Sequence, residues 1–453
     1  MNGVPRMSTI ICIDFGTSLT KVAASLDGEM PFVIPIGSCD DDPVMEHAIH
    51  SSQLFARDGR IYFGHRAVGM SFSSSSGPQR RVDSLKRWLI SSEIRDLNKT
   101  LLSPRLNGTG LSFTIADCLR LHLAHVIGLV HGHLTKNYDP EVLDAATYRF
   151  TRPVFGAAHA RWVDDQMTSA IIAALRLQGY SRDNPAGEYE AKAARRALDA
   201  CESKTALVPI IECPGLEEPV AAGVVQLGRD YPHRSLAVVV DVGAGTTDMA
   251  AFVAIQPDRR LTIDRVKVLG QPLSIDMAGD YLDGVLREMI EESCTFTLTD
   301  RDHIEIDLNI RRWKEDIFNF LETIPTLSGG RVLDRILLHH LENRPKYIAM
   351  QKKLRDGLLE VFSSAAKWLD FFATASDFPH TEIHVVPSGG GAKLPMLKAM
   401  DKMTWECRPS RRSLGVSLTV VAPDPVWGFE ERFSQLTVVL GGAFNGRPRV
   451  IGV

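Results

Sequence analysis

The chain has 453 residues, 44% hydrophobic and 23% charged, with a formal net charge of -4. That length supports two or three domains with sizeable cores, and the near-balanced charge leaves no electrostatic footprint for nucleic acid. Seven cysteines, dispersed singly from Cys12 to Cys407 without a CxxC pair, argue against a disulfide framework, and neither a signal-like start nor a run of about 18 apolar residues is present.

Strand and helix patterns alternate throughout, as in an α/β protein. Ile10–Asp14 (IICID) is a short apolar run ending at a Gly-Thr turn, and Leu19–Ala24 reads as its return strand. SSSSGP (Ser73–Pro78) is turn-like, and the following VDSLKRWLI has helical spacing. Thr114 and Asp117 form a capping-box pattern at the head of a helix predicted to reach about Thr135. A strand at about Ala146–Phe150 should end before Pro153. Helical patterns follow at Ala157–Leu177 and Glu188–Ser203, separated by the polar stretch Ser181–Gly187. A strand at Ala206–Ile211 leads to CPGLEEP and the small-residue stretch VAAGVV. Next comes SLAVVVDVGAGTTDMAAFVA (Ser235–Ala254), a strand, a glycine loop and a second strand. Beyond it lie a further strand, an interrupted helical region at about Ala278–Leu369, a strand at Ile383–Val386, and a triple glycine before another helix. A boundary near Tyr231–Ser235 would give one lobe over residues 7–234 and a second over 235–453.

One pattern occurs twice. IICIDFGTSLTKVAAS (Ile10–Ser25) and AVVVDVGAGTTDMAAF (Ala237–Phe252) share an apolar strand, Asp, an apolar residue, Gly, a small-residue turn and a second strand. Asp14 corresponds to Asp241 and Gly16 to Gly243, as expected if two similar lobes each give one loop to a shared site. The dinucleotide fingerprint GxGxxG fails, because Asp248 stands where its last glycine should be and the segment after the loop reads as strand. No GxxxxGK[ST] loop occurs. A glycine hairpin flanked by hydroxyls and acids suits a triphosphate, since small residues let backbone N–H groups approach phosphate oxygens. Its aspartates would repel bare phosphate and so imply a bridging Mg²⁺. Lys21 could reach phosphate as a point charge. The histidine pairs His122 and His125, His131 and His133, and His339 and His340 lack Cys or carboxylate partners at metal-ligand spacing and read as core or surface residues.

DFGTS together with DVGAGTTD resembles the paired phosphate motifs of the actin, sugar-kinase and heat-shock ATPase superfamily. VVPSGGGAKLPML (Val385–Leu397) resembles its adenosine motif. VDSLKRWLI, EPVAAGVV (Glu218–Val225) and AGDYLD (Ala278–Asp283) look most like the ATPase region of DnaK-type chaperones, over roughly residues 10–445. EEPVAAG also occurs in bacterial actin-like proteins.

The resemblance implies two similar lobes of actin-like, ribonuclease H-like fold, with ATP or ADP and Mg²⁺ in the cleft between them. By position, Asp14 and Asp241 would hold the hydrated metal. Gly16, Thr17, Ser18, Lys21, Gly243, Gly245, Thr246 and Thr247 would meet the phosphates. Glu218 would place metal-bound or attacking water, and Thr246 would assist hydrolysis. Gly279 and Asp280 would lie where the second lobe approaches the nucleotide. Gly389, Gly390, Gly391, Lys314 and Lys393 would border the adenosine, and Pro153 and Arg161 match the family's allosteric relay. In IYFGHRAVGM (Ile61–Met70), Val68 takes the position read as the family's catalytic lysine, leaving His65, Arg66 or Lys21 to supply the charge and implying slow hydrolysis. Gly179–Ser203 reads as an insertion.

Since the sequence ends at RPRVIGV, no peptide-binding domain is expected. The expected protein is therefore a stand-alone, cytoplasmic, mainly monomeric ATPase switch acting on a protein partner. The rivals are an actin-like filament or scaffold ATPase, a small-molecule kinase, and a pseudo-ATPase that binds without hydrolysing.

Overall fold

An apolar run such as TIICIDF can serve as a strand only in the middle of a sheet, with both faces covered. In the computed structural model it is β1 (Thr9–Phe15), buried along its whole length. The structure describes residues 8–37, 50–73, 77–91, 96–144, 146–182, 186–202, 210–227, 235–254, 266–328, 330–374, 382–407, 412–419, 433–446 and 449–451. Two compact units result: residues 1–75, 80–225 and 423–447, and residues 76–79, 226–422 and 448–453.

In the first unit β1 pairs antiparallel with β2 (Leu19–Leu26), and β2 with β3 (Phe32–Ile34). On its other side β1 runs parallel to β4 (Ala146–Arg152), and β4 parallel to the short β5 (Ile210–Ile211). In the second unit β6 (Ser235–Val242) pairs antiparallel with β7 (Thr247–Ala254), and β7 with β8 (Val266–Ile275). On its other side β6 runs parallel to β9 (Glu382–Ser388), and β9 parallel to β10 (Arg412–Leu418). The two sheets thus share one order of antiparallel and parallel neighbours, which extends the repeated motif to a repeated topology.

Helices cover these sheets. In the first unit the Thr114–Asp117 capping box forms as expected, and α1 (Ile115–Asn137) follows it. It packs along α2 (Ala157–Arg182), whose other neighbour is α3 (Ala191–Glu202). The expected helix at Glu188–Ser203 begins three residues late, because Glu188–Glu190 is a strand paired with Arg60–Phe63. Alternation explains the difference: Tyr189 turns in against Phe63, at 5.5 Å between rings, while Glu188 turns out to Arg60. VAAGVV lies in α4 (Glu218–Gln226). Within VDSLKRWLI only Arg87–Ile90 is helical. In the second unit α5 (Gly279–Ser293), α6 (Asp300–Phe320) and α7 (Pro345–Thr374) make up most of the long helical region. The triple glycine is followed by a 3-10 turn at Pro395–Met400. Residues 74–76 of SSSSGP and 206–209 of the expected strand lie outside the described residues. Among the described residues no helix is long and apolar enough to cross a membrane.

The first unit also buries three imidazoles together. His50 lies 5.6 Å from His122 and 5.1 Å from His125, between ring centroids. His122 meets the Thr20 hydroxyl at 3.3 Å and His125 the Tyr189 hydroxyl at 2.9 Å. Burial first, and neighbouring imidazoles second, hold all three well below the usual histidine range, His125 at about 3. The folded protein therefore keeps them neutral, while the unfolded chain takes up protons as pH falls through 6.5. Stability should be level above about pH 7 and decline below 6.5, by up to about 1.4 kcal/mol per histidine per pH unit. Urea unfolding midpoints between about pH 8 and about pH 5 check this; a pH-independent midpoint contradicts it.

Candidate functional site

Each unit carries the same hairpin at the carboxyl end of its central strand. The Gly16 N–H donates to the Leu19 carbonyl at 3.1 Å, and the Gly243 N–H to the Thr246 carbonyl at 3.0 Å. A Cβ at Gly16 would overlap the Leu19 oxygen, and one at Gly243 would come within 3.1 Å of the Thr246 oxygen, so the tight closure requires glycine. Asp14 and Asp241 stand two residues before these glycines, each beside a hydroxyl residue on the next parallel strand. Thr151 Oγ1 donates to Asp14 Oδ1 at 3.0 Å, and Ser388 is the register partner of Asp241. Open sheets with parallel strands place their ligands at such carboxyl ends.

In the first unit Asp14 is the centre of a buried charge cluster. Its cross-strand partner Lys21 brings Nζ within 2.7 Å of Oδ2. Lys86, just ahead of the short helix Arg87–Ile90, pairs with Glu218 at the first residue of α4; the two are only 5% and 7% exposed. Burial opposes ionisation of Asp14, but the Lys21 and Lys86 ammonium groups outweigh it and hold the carboxyl below its usual range. The small residues of α4 let it pack closely under the helix Phe433–Ala443, where a Cβ at Gly441 would overlap the Ala221 carbonyl. That contact fixes the helix whose first residue is Glu218. Thr17 is buried, and Ser18 half-buried, in the loop itself. Pro153 lines a small cavity with Phe15, Lys86, Thr151 and Arg152, whereas Arg161 lies exposed on α2.

Lys86 is the residue that sequence reasoning missed. The charge expected from His65 or Arg66 is committed elsewhere or absent from the cluster: Arg66 pairs with Glu188 at 3.2 Å, and His65 and Val68 share its helix, Gly64–Phe72. The available signal was a lysine flanked by Leu85 and Leu89, whose burial draws Lys86 inward with them.

In the second unit two glycine segments, Gly279–Asp280 and Gly389–Gly391, converge on Val242–Ala244. The N–H groups of Gly279 and Asp280 donate to the Gly243 and Ala244 carbonyls at 3.2 and 2.7 Å, and that of Gly391 to Val242 at 2.9 Å. Gly389 has φ +78°, and a Cβ there would come within 2.6 Å of Asp241 Oδ1. Lys314 Nζ bonds the Gly279 carbonyl at 2.8 Å and Asp283 at 2.7 Å. Burial pushes the Asp283 carboxyl up, against the pull of Lys314 and Arg311. Thr246 Oγ1 donates to Asp248, the cross-strand partner of Asp241, at 2.7 Å, and Thr247 Oγ1 to the Met277 carbonyl at 2.7 Å. Gly245 is half-buried, and Gly390 and Lys393 are exposed at this end of the sheet.

Among the described residues no three His, Cys, Asp or Glu side chains converge as a metal cage. Mg²⁺ does not require one, since it keeps several waters and takes one or two carboxylates plus phosphate. Both Asp14 oxygens already accept hydrogen bonds, from Thr151 and Lys21, which suits contact through metal-bound water better than direct ligation. In the second unit Asp241, against the Cβ-free Gly389, is a carboxylate in a similarly tight setting.

No protein-family model matches the chain, and no curated protein sequence matches it.

Lys86→Met and Glu218→Leu should each cost about 3–5 kcal/mol, because each removes the other's buried ion-pair partner. The double variant should cost at least about 1 kcal/mol less than the sum. Strict additivity in denaturant unfolding would mean the pair does not form.

Proposed function

We propose that this protein is an ATP-binding and ATP-hydrolysing switch of the actin and heat-shock ATPase type, most similar to a stand-alone DnaK-type ATPase region. In this reading its two units are the two lobes, and a nucleotide is held by both hairpins together. The observation that supports it best is the buried Lys86–Glu218 pair beside Asp14 and Lys21, in a unit whose hairpin is repeated around Asp241.

Hydrolysis forms a bond from water oxygen to the γ-phosphorus and breaks the bond to the β–γ bridging oxygen, giving ADP and inorganic phosphate. Glu218 would orient the water and accept its proton. Lys86 and Lys21 would counter the charge on the phosphoryl oxygens, the kind of electrostatic positioning on which this reaction depends. Backbone N–H groups of the loops at Thr17–Ser18 and Gly245–Thr246 would cradle the phosphates. Asp14 and Asp241 would hold Mg²⁺ through its waters, and the ion when bound would neutralise phosphate charge. Gly389–Gly391 would let the adenosine lie against the backbone, with Lys314 and Lys393 at its border. Val68 implies slow turnover, and Lys86 would supply the cation that hydrolysis needs in its place. In this reading the protein is cytoplasmic, mainly monomeric and acts on a protein partner; that Cys118, Cys213 and Cys294 are in no disulfide supports the first of these.

Calorimetric titration with ATP and Mg²⁺, alongside phosphate release, tests this reading. Wild type should bind one ATP. Glu218→Gln and Lys86→Met should keep binding while turnover falls by roughly 10²-fold or more. Asp241→Ala should weaken both. Variants that match wild type in binding and turnover would remove the site assignment.

A further inference from the structure

Away from the charge cluster, the first unit has a cleft of about 390 Å³ among α1, α2, α3 and the turn at Cys213. That volume lies within the range of small-molecule sites. One stripe of α2 forms its floor: Thr168, Ile172 and Arg176 follow at i, i+4 and i+8, and so face the same way. Ile172, Ala173 and Leu198 make an apolar wall.

The polar groups of this floor are unusual. Thr168 Oγ1 and Arg176 Nε are both buried and form no hydrogen bond among the described residues, and no ion pair there neutralises Arg176. Buried donors are nearly always satisfied, and an unmatched one costs its full desolvation penalty, more when the group is charged. Arg120, the other cation of the cleft, is already engaged by Asn98 at 2.7 Å and Asp117 at 3.6 Å. The carboxylate on the cleft, Asp165, is exposed and lies eleven residues before Arg176 on α2, about 16 Å along the helix axis. It therefore opposes an anion only at the far end. The arrangement is a charged donor in search of an acceptor at one end of an apolar trough.

We propose that this cleft binds a small organic anion with an apolar body, its carboxylate or phosphate head on the Arg176 guanidinium and its tail along Ile172, Ala173 and Leu198. Arginine's planar fork suits either head group. The site is independent of the nucleotide reading and involves none of its residues.

Thermal unfolding of the full chain with octanoate, octyl phosphate and neutral octanamide tests this. A ligand that binds only the folded state raises the midpoint saturably. At least one of the two anions should do so, with octanamide at least tenfold weaker; the better anion identifies the head group. Arg176→Met should weaken binding at least tenfold and Ile172→Trp should block it by filling the trough, whereas Arg176→Lys should keep part of it. The bound anion should also slow alkylation of Cys213, an exposed thiol on the cleft, by iodoacetamide. The proposal is overturned if neither anion stabilises the protein saturably. It is equally overturned if Arg176→Met and Ile172→Trp bind as wild type does, or if Cys213 reacts at an unchanged rate with anion present.

Discussion

An aspartate at the end of a strand buried on both faces must be compensated by groups brought from elsewhere in the chain. Asp14 is the case on which the first unit turns. Its strand is apolar enough to force it into the centre of the sheet, and at 3% exposure the carboxylate has almost no access to water. Lys21 comes from the antiparallel neighbour, Thr151 from the parallel one, and Lys86 from a short helix held in place by leucines. Lys86 in turn requires Glu218, which fixes where α4 must begin and how closely Phe433–Ala443 must pack over it. Burial of ion pairs contributes little net stability. A protein that concentrates several of them at one strand end is keeping them for chemistry or specificity, not for strength.

The second unit meets the same constraint differently. The cross-strand partner of Asp241 is another carboxylate, Asp248, where Asp14 has a lysine. Asp248 is satisfied by the Thr246 hydroxyl, and the surroundings of Asp241 are mostly backbone and glycine. Two glycine-bearing segments from distant parts of the sequence, Gly279–Asp280 and Gly389–Gly391, tie to Val242–Ala244 through main-chain hydrogen bonds. Contacts of this kind leave a surface of backbone and small side chains, the texture that admits close approach by a ligand. One repeated topology therefore yields one end where a cross-strand lysine pairs with the strand aspartate and another closed over by glycine backbone.

Much of this was legible in the sequence because it is local. The two strand-Asp-x-Gly hairpins, the Thr114–Asp117 cap and the triple glycine each depend on residues a few positions apart, where spacing and propensity speak directly. Lys86 was hard to read because its meaning depends on Glu218, far along the chain; the flanking leucines hint at burial but not at the partner. The strand at Glu188–Glu190 was lost to the alanine-rich helix that follows it; three residues of alternation carry too little signal against twelve of helical pattern. The Thr299–Asp302 cap escaped notice although its form is the same as the one at Thr114. The repeated topology went beyond the motif because strand order is set by pairing, which a single sequence does not display.

Charge balance also bears on what the first unit's cluster can accept. Lys21 pairs with Asp14, Lys86 with Glu218, and Arg152, on the strand next to β1, with Asp164 and Glu217. A bare polyphosphate brought here would meet the buried carboxylates of Asp14 and Glu218 in surroundings where screening is weak. Lysines already paired to carboxylates have little attraction to spare. With a divalent cation held through its waters at Asp14, as proposed, Lys21 and Lys86 would be the cations left to face phosphate oxygens. The nucleotide proposed for this site would therefore be expected to bind as its divalent-metal complex rather than as free phosphate.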